Sequence, residues 1–174
     1  MNLDLQKIVP DPEIQADIQK YLNNLQEVKK TDKVKVRQAQ PEDADFVFHV
    51  LETAMSGYLA KTTGWEKDKA YREHQQQFNP EGCRIIENSS QPIGAFKVTD
   101  RDTHLVLDFF YLLPGHQSMG IGTTLMKKVL AMATSHERKI RTRILKANGG
   151  AIHFFEQLGF RAQEEEGPHL VYEA

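Results

Sequence analysis

The chain has 174 residues, 40% of them hydrophobic and 26% charged, with a formal net charge of −2. That length suits one domain with a sizeable core, and the near-neutral balance argues against a protein built to hold nucleic acid or an anionic membrane. The single cysteine, Cys83, excludes an internal disulfide and a thiolate metal site, the start "MNLDLQKIVPDP" is unlike a signal peptide, and no apolar run approaches the ~20 residues of a membrane helix, so the expectation is a cytoplasmic protein without a bound metal.

Residues 11–30 read as a helix, with Asp11 as a cap, Pro12 in the first turn, and a stripe of Ile14, Ile18, Leu22, Leu25 and Val28. The polar "TDK" after it sets residues 1–32 apart as a helical extension from a domain over 33–174. The stripe must bury against that body or against another subunit. "KVKVRQA" alternates like a strand. "PEDADFVFHVLETAMSGYL" opens on a proline and acids, as helix starts do, and "WEKDKAYREHQQQF" follows as a more polar helix. "CRIIEN", "PIGAFKV" and "HLVLDFFYLL" are strands joined by short turns, which predicts an antiparallel meander. A glycine loop and a helix over about 119–136 come next. "KIRTRIL" is a strand, and "GGAIHFFEQLG" is a short helix ended by Gly159. "FRAQEE" and "HLVYEA" close the chain as a hairpin. A meander combined with βα crossovers predicts an α/β (α+β) fold: a mixed, mostly antiparallel sheet with helices on both faces.

The loop "QSMGIGT" lies between a strand and a helix. A helix start offers unpaired N–H groups and a positive dipole end, the requirements for holding a diphosphate. Gly120 and Gly122 remove side chains from the approach and permit unusual backbone angles. Gln117 and Thr123 can add an amide and a hydroxyl. A P-loop would need a lysine after Gly122, and a dinucleotide fingerprint would need glycine where Leu125 stands. The plain alternative is a helix that begins after a flexible turn.

"FFYLLPGHQSMGIGTTLM" resembles the acetyl-CoA loop of the GNAT superfamily of acyl-CoA N-acyltransferases, whose Gln/Arg-x-x-Gly-x-Gly/Ala pattern is matched by Gln117, Gly120 and Gly122. "NGGAIHFFEQLGF" resembles that family's second block through Asn148, Ala151, Phe154, Gly159 and Phe160. The resemblance, over residues 33–174, implies an acetyl-CoA-dependent N-acetyltransferase acting on a primary amine. It implies pairing of the pantetheine arm with backbone of Phe110, Tyr111 and Leu112, where the strand splays from its neighbour. The pyrophosphate is expected on Gln117, Ser118, Met119, Gly120, Ile121, Gly122 and Thr123, and Asn148 beside the cofactor arm, unless Asn148 is only a turn residue before two glycines.

For chemistry, an alkyl ammonium of pKa ~10 must lose a proton before attack. Asp108 is the candidate base. Simple alternation puts it on the same strand face as Leu112, whose N–H is the candidate oxyanion donor. The family's usual proton-donating tyrosine falls at Phe155, which borders the cofactor but has no proton to give. Tyr111 is a candidate substitute, with a half-buried strand aromatic as its alternative reading. Tyr58, Trp65 and Tyr71 on the first helices, and Glu164, Glu165 and Glu166 in the final turn, are candidates for the acceptor side, set against plain packing and a solvated turn. Two other functions stay open: an acyl-CoA sensor without transfer, and a partner-binding subunit docked through residues 11–30. A homodimer is left open by analogy.

Overall fold

A computed structural model describes residues 12–23, 34–101 and 103–174. Among the described residues, five helices are arranged on seven strands that form one sheet. The helix α1 (Pro12–Asn23) precedes β1 (Val34–Gln38). A 3-10 turn at Pro41–Asp43 leads into α2 (Ala44–Thr62), followed by α3 (Lys67–Gln77). The meander is β2 (Cys83–Asn88), β3 (Gln91–Arg101) and β4 (His104–Leu112). Then come α4 (Ile121–Ser135), β5 (Lys139–Leu145), α5 (Gly149–Gln157), β6 (Arg161–Glu166) and β7 (His169–Glu173). The strand order is β1-β2-β3-β4-β5-β7-β6. Every neighbouring pair is antiparallel except β4 and β5, which are joined through the α4 crossover. The expected mixed, mostly antiparallel sheet is therefore the observed one. No helix among the described residues is long and apolar enough to cross a membrane.

One face of the sheet carries the main core. Val36, Ile86, Phe96, Leu105 and Leu107 from the strands meet Leu125, Met126, Val129 and Met132 of α4 and Phe155 of α5 there. The other face is covered by α2 and α3 over β1 to β4, where Ala39, Val47, Cys83, Ile85 and Ala95 form a smaller cluster with Phe46, Phe78 and Phe109. Ile18 and Leu22 of α1 are 1% and 0% exposed and belong to the main core. Of the two burial sites left open for that stripe, the structure shows the chain's own body. The side chain of Ile14, and Leu25 and Val28, lie outside the described residues. Under α1 sits Arg84, fully buried, with its guanidinium donating to the Cys83 carbonyl and the Gln19 side chain and with no carboxylate partner among the described residues. Burial pushes its pKa down.

Two irregularities of β4 shape the region around its C-terminal end. Pairing between β4 and β5 runs only from His104↔Lys139 to Leu107↔Thr142. Beyond it, Asp108–Leu112 and Arg143–Leu145 do not pair with each other, although β5 stays paired with β7 as far as Leu145↔His169. In addition, the β3–β4 register jumps from Lys97↔Phe109 to Val98↔Leu107, which leaves Asp108 as the extra residue of a β-bulge.

Candidate acetyl-CoA site

The bulge shifts side-chain alternation by one residue. Leu105 and Leu107 lie in the main core before it, and Phe110 and Leu112 pack there after it. Asp108 accepts a hydrogen bond from the Thr99 hydroxyl, and Thr99 follows the core residue Val98, so it points to the α2/α3 face. Asp108 and Leu112 are thus on opposite faces of the sheet, not on the same face as alternation predicts. Asp108 is exposed and faces the same side as Phe109, whose ring stacks on Tyr111 at 5.6 Å with an 8° interplanar angle.

The backbone of β4 sorts its groups by edge. The Leu113 N–H donates to the Ile93 carbonyl at 2.9 Å. In an antiparallel ladder alternate residues bond to the same neighbour. The backbone groups of Tyr111, opposite Ala95, are therefore directed to β3, and those of Phe110 and Leu112 to the unpaired edge that β5 leaves open. Of the three residues expected to offer backbone to a cofactor arm, Phe110 and Leu112 face the gap and Tyr111 does not. The Leu112 carbonyl is already taken by the Gln117 side-chain amide at 2.7 Å. Gln117 therefore acts as a brace between loop and strand, with the second N–H of its side-chain amide left over.

After β4 the chain makes a 3-10 turn at Pro114–His116, with the N–H groups of His116 and Gln117 bonded back to Leu113 and Pro114. Ser118 and Gly120 then adopt left-handed angles, with φ of 60° and 79°. Gly120 is the residue before α4, and its carbonyl takes the Thr124 N–H at 3.0 Å. Among the described residues, none of the N–H groups of Ser118, Met119, Gly120, Ile121, Gly122 and Thr123 has a backbone partner. Six donors without a backbone partner thus follow one another at the start of a fifteen-residue helix. A Cβ on Gly120 would meet nothing within 4 Å, so this glycine serves the backbone angle. Gly122 is different. A Cβ there would lie 3.4 Å from the Phe110 ring, 3.5 Å from Phe154 and 3.6 Å from Leu112, ordinary contact distances, so Gly122 sits against the aromatic packing without needing an unusual angle.

That packing puts Phe154, the residue before Phe155, against β4 and the loop. Phe154 of α5 stacks on Phe110 at 6.2 Å and 17° and closes the floor between the loop and β4. Phe155, expected beside the cofactor, is 7% exposed, edge-on to Phe154 and Phe160 in the main core. The signal for Phe154 is the stripe of Ala151, Phe154 and Leu158, three half-buried residues that share the core-facing side of α5. Asn148 is the N-cap of α5. Its side-chain oxygen accepts the Ala151 N–H at 3.1 Å, which leaves its NH2 to donate elsewhere. Burial pushes the Tyr111 phenol up to about 12. The Nδ1 of His116, beside the loop, is buried without a hydrogen-bond partner.

On the acceptor side, Trp65 and Tyr71 converge on Phe48 at ring distances of 6.2 and 5.1 Å, and Phe48 and Tyr71 line a cleft of about 300 Å³. Tyr58 does not line that cleft. A second cavity of about 170 Å³ lies between α2, α3 and the sheet, against Phe109 and Lys97. The acidic run is internally neutralised: Glu164 faces Arg141 at 3.9 Å, Glu165 pairs with Lys146, and Glu166 pairs with Arg143 at 2.9 Å.

A family model for the acetyltransferase (GNAT) family matches residues 48–160. No curated protein sequence matches the chain significantly. Among solved structures, the fold is similar to that of PaiA N-acetyltransferase from Thermoplasma acidophilum in complex with coenzyme A, with a TM-score of 0.65 and 16% identity over 80% of this chain and 97% of that one. An acetyltransferase from Thermus thermophilus gives 0.64 and 19% over 82% and 96%. Arabidopsis thaliana Naa50, in complex with the bisubstrate analogue CoA-Ac-MVNAL, gives 0.59 and 15% over 82% and 98%. With the family match spanning well over half of its length, the chain belongs to the GNAT family of acetyltransferases.

Proposed function

We propose that this chain transfers the acetyl group of acetyl-CoA to a primary amine by direct attack on the thioester. The observation that carries the reading is an unpaired strand edge followed by six N–H groups that have no backbone partner among the described residues, at one end of the β4–β5 split. The pantetheine arm pairs with the Phe110 backbone as an added strand would. The pyrophosphate rests on the N–H groups of Ser118 to Thr123, and the NH2 of Asn148 is placed to hold the arm from the α5 side. As the amine nitrogen bonds to the carbonyl carbon, charge grows on the carbonyl oxygen and is met by the Leu112 N–H. Asp108 takes the amine's proton from the acceptor face, directly or through water. The C–S bond then breaks and the thiolate departs with the electron pair. A thiol of pKa about 8.5 leaves unaided, and solvent supplies its proton. Phe155 has none to give, and Tyr111, with its pKa about 12, holds its own too tightly to act as an efficient acid.

Calorimetric titration with acetyl-CoA, combined with thiol release in the presence of primary amines, tests this. Binding and turnover are expected in the wild type, with Asp108→Asn lowering kcat by about 10²-fold or more at unchanged acetyl-CoA affinity. The buried phenyl ring of Phe155 favours one rival, an acyl-CoA sensor, which predicts binding without turnover of any amine.

A further inference from the structure

The row Cys83, Lys97 and Phe109 runs across β2, β3 and β4 at the level of the bulge, with all three side chains on the α2/α3 face. Lys97 stands directly opposite the bulge, next to the candidate base Asp108. The cavity of about 170 Å³ opens over this row. Its apolar surface comes from Val47, Phe78 and Phe109, and its polar groups include Gln77, Asn79 and Lys97. None of its eight lining residues is acidic. The Lys97 ammonium donates to the Asn79 carbonyl at 3.3 Å and forms no ion pair among the described residues. Most cations on this face of the sheet are treated differently: Arg37, Lys139, Arg141 and Arg143 each have a carboxylate.

A cavity smaller than the ~300–1,000 Å³ of drug-sized pockets takes a small molecule or the end of a larger one. Here its chemistry is one ammonium, two amides and the His74 imidazole, whose Nε2 is bonded to the Ala44 carbonyl, above an apolar floor. That combination disfavours a second ammonium and favours an anion carried on a short apolar skeleton. We propose that the cavity between α2, α3 and the sheet binds the carboxylate of the acceptor, with Lys97 as its partner, so that the acceptor is a small amino carboxylate whose amine points toward Asp108. The proposal rests on the reading of the chain as an N-acetyltransferase and adds the class of its acceptor.

Matched acceptors test it. Leucine and leucinamide are offered with acetyl-CoA to the wild type and to Lys97→Gln, a change that keeps the side-chain stem and removes the charge. The wild type is expected to prefer leucine at least tenfold in kcat/KM, and Lys97→Gln to bring the ratio close to one while binding acetyl-CoA as before. Equal or better use of the amide, a preference that survives Lys97→Gln, or no acetylation of either compound overturns the proposal. Calorimetry with acetyl-CoA separates the two failures. Intact cofactor binding with no carboxylate preference sinks the acceptor class alone, and absent binding sinks the transferase reading with it.

Discussion

The hydroxyl of Thr142 donates to the carbonyl of Leu107 at 3.0 Å, and this contact marks the point where β4 and β5 part. Both strands continue past it, β4 held by β3 and β5 by β7. The gap is therefore built by two separate sets of pairings that diverge, and Thr142, 4% exposed, is the pin at its apex.

Thr142→Val keeps the shape and removes the donor. Losing a buried hydrogen bond and leaving its acceptor unpaired costs about 1–3 kcal/mol. A thermal unfolding scan is expected to show that loss. A calorimetric titration should also show weaker acetyl-CoA binding, because the angle between the two strands is less firmly set. Unchanged affinity at lowered stability would mean the gap is held by the flanking pairs alone.

The two loop glycines are expected to respond oppositely to alanine. At Gly120 the new Cβ meets nothing, but the left-handed angle of 79° disfavours any L side chain by about 1–2 kcal/mol. Gly120→Ala should lower stability by that amount and disorder the cluster of N–H groups, which weakens acetyl-CoA binding. At Gly122 the Cβ fits at ordinary contact distance against Phe110 and Phe154, so Gly122→Ala should be nearly neutral in stability. Gly122→Val must displace the aromatic wall, so any loss of binding it causes would mix packing with anion approach. Equilibrium denaturation of the three variants, each followed by titration, distinguishes these effects.

Leu22→Ala is expected to cost about 2–5 kcal/mol, as for other fully buried leucines. Such a loss would make α1 a member of the core and not a detachable docking arm. Beneath it, Arg84→Met should leave the melting temperature unchanged or raise it, because among the described residues this buried cation has no carboxylate and sets two hydrogen bonds to neutral groups against its desolvation. A large drop in Arg84→Met would instead show that those two bonds outweigh the cost of burying the charge.

The sequence carried the strand meander and the loop clearly, for physical reasons. Turn residues punctuate the meander, and the Pro114–Gly120 stretch separates an apolar strand from an amphipathic helix. The helix ended by Gly159 was equally readable, since that residue takes φ of 96°. The bulge was not readable. "LVLDFFYLL" scans as one continuous strand, and a single unpaired residue leaves no trace in composition. Only the partner strand reveals that Asp108 has no opposite number. The pairing of Glu164, Glu165 and Glu166 was hidden for a related reason: Arg141, Lys146 and Arg143 reach them through strand pairing across β5, β7 and β6, not through local spacing. That Phe154, and not Phe155, lies against Phe110 depends on which side of α5 faces that ring, a tertiary fact.

Tyr111 offers a pH-dependent test. Burial raises its phenol from the usual value near 10 to about 12. Between those values the unfolded chain gives up a proton that the folded chain keeps, so the unfolded state binds fewer protons and stability falls as pH rises through the window. Tyr111→Phe removes the group from both states. The difference in stability between wild type and variant should therefore be constant below pH about 10 and should shift in favour of the variant between about 10 and about 12. The Tyr71 and Tyr172 phenols are also raised, but they are present in both proteins and largely cancel in the difference. The same substitution bears on catalysis. A phenol that holds its proton so tightly is a poor acid toward a thiolate of pKa about 8.5, so kcat for acetyl transfer at neutral pH should change by less than about threefold, well below the ~10²-fold expected for loss of a working general acid. A far larger fall in kcat, with acetyl-CoA affinity intact, would return Tyr111 to the role that Phe155 cannot fill.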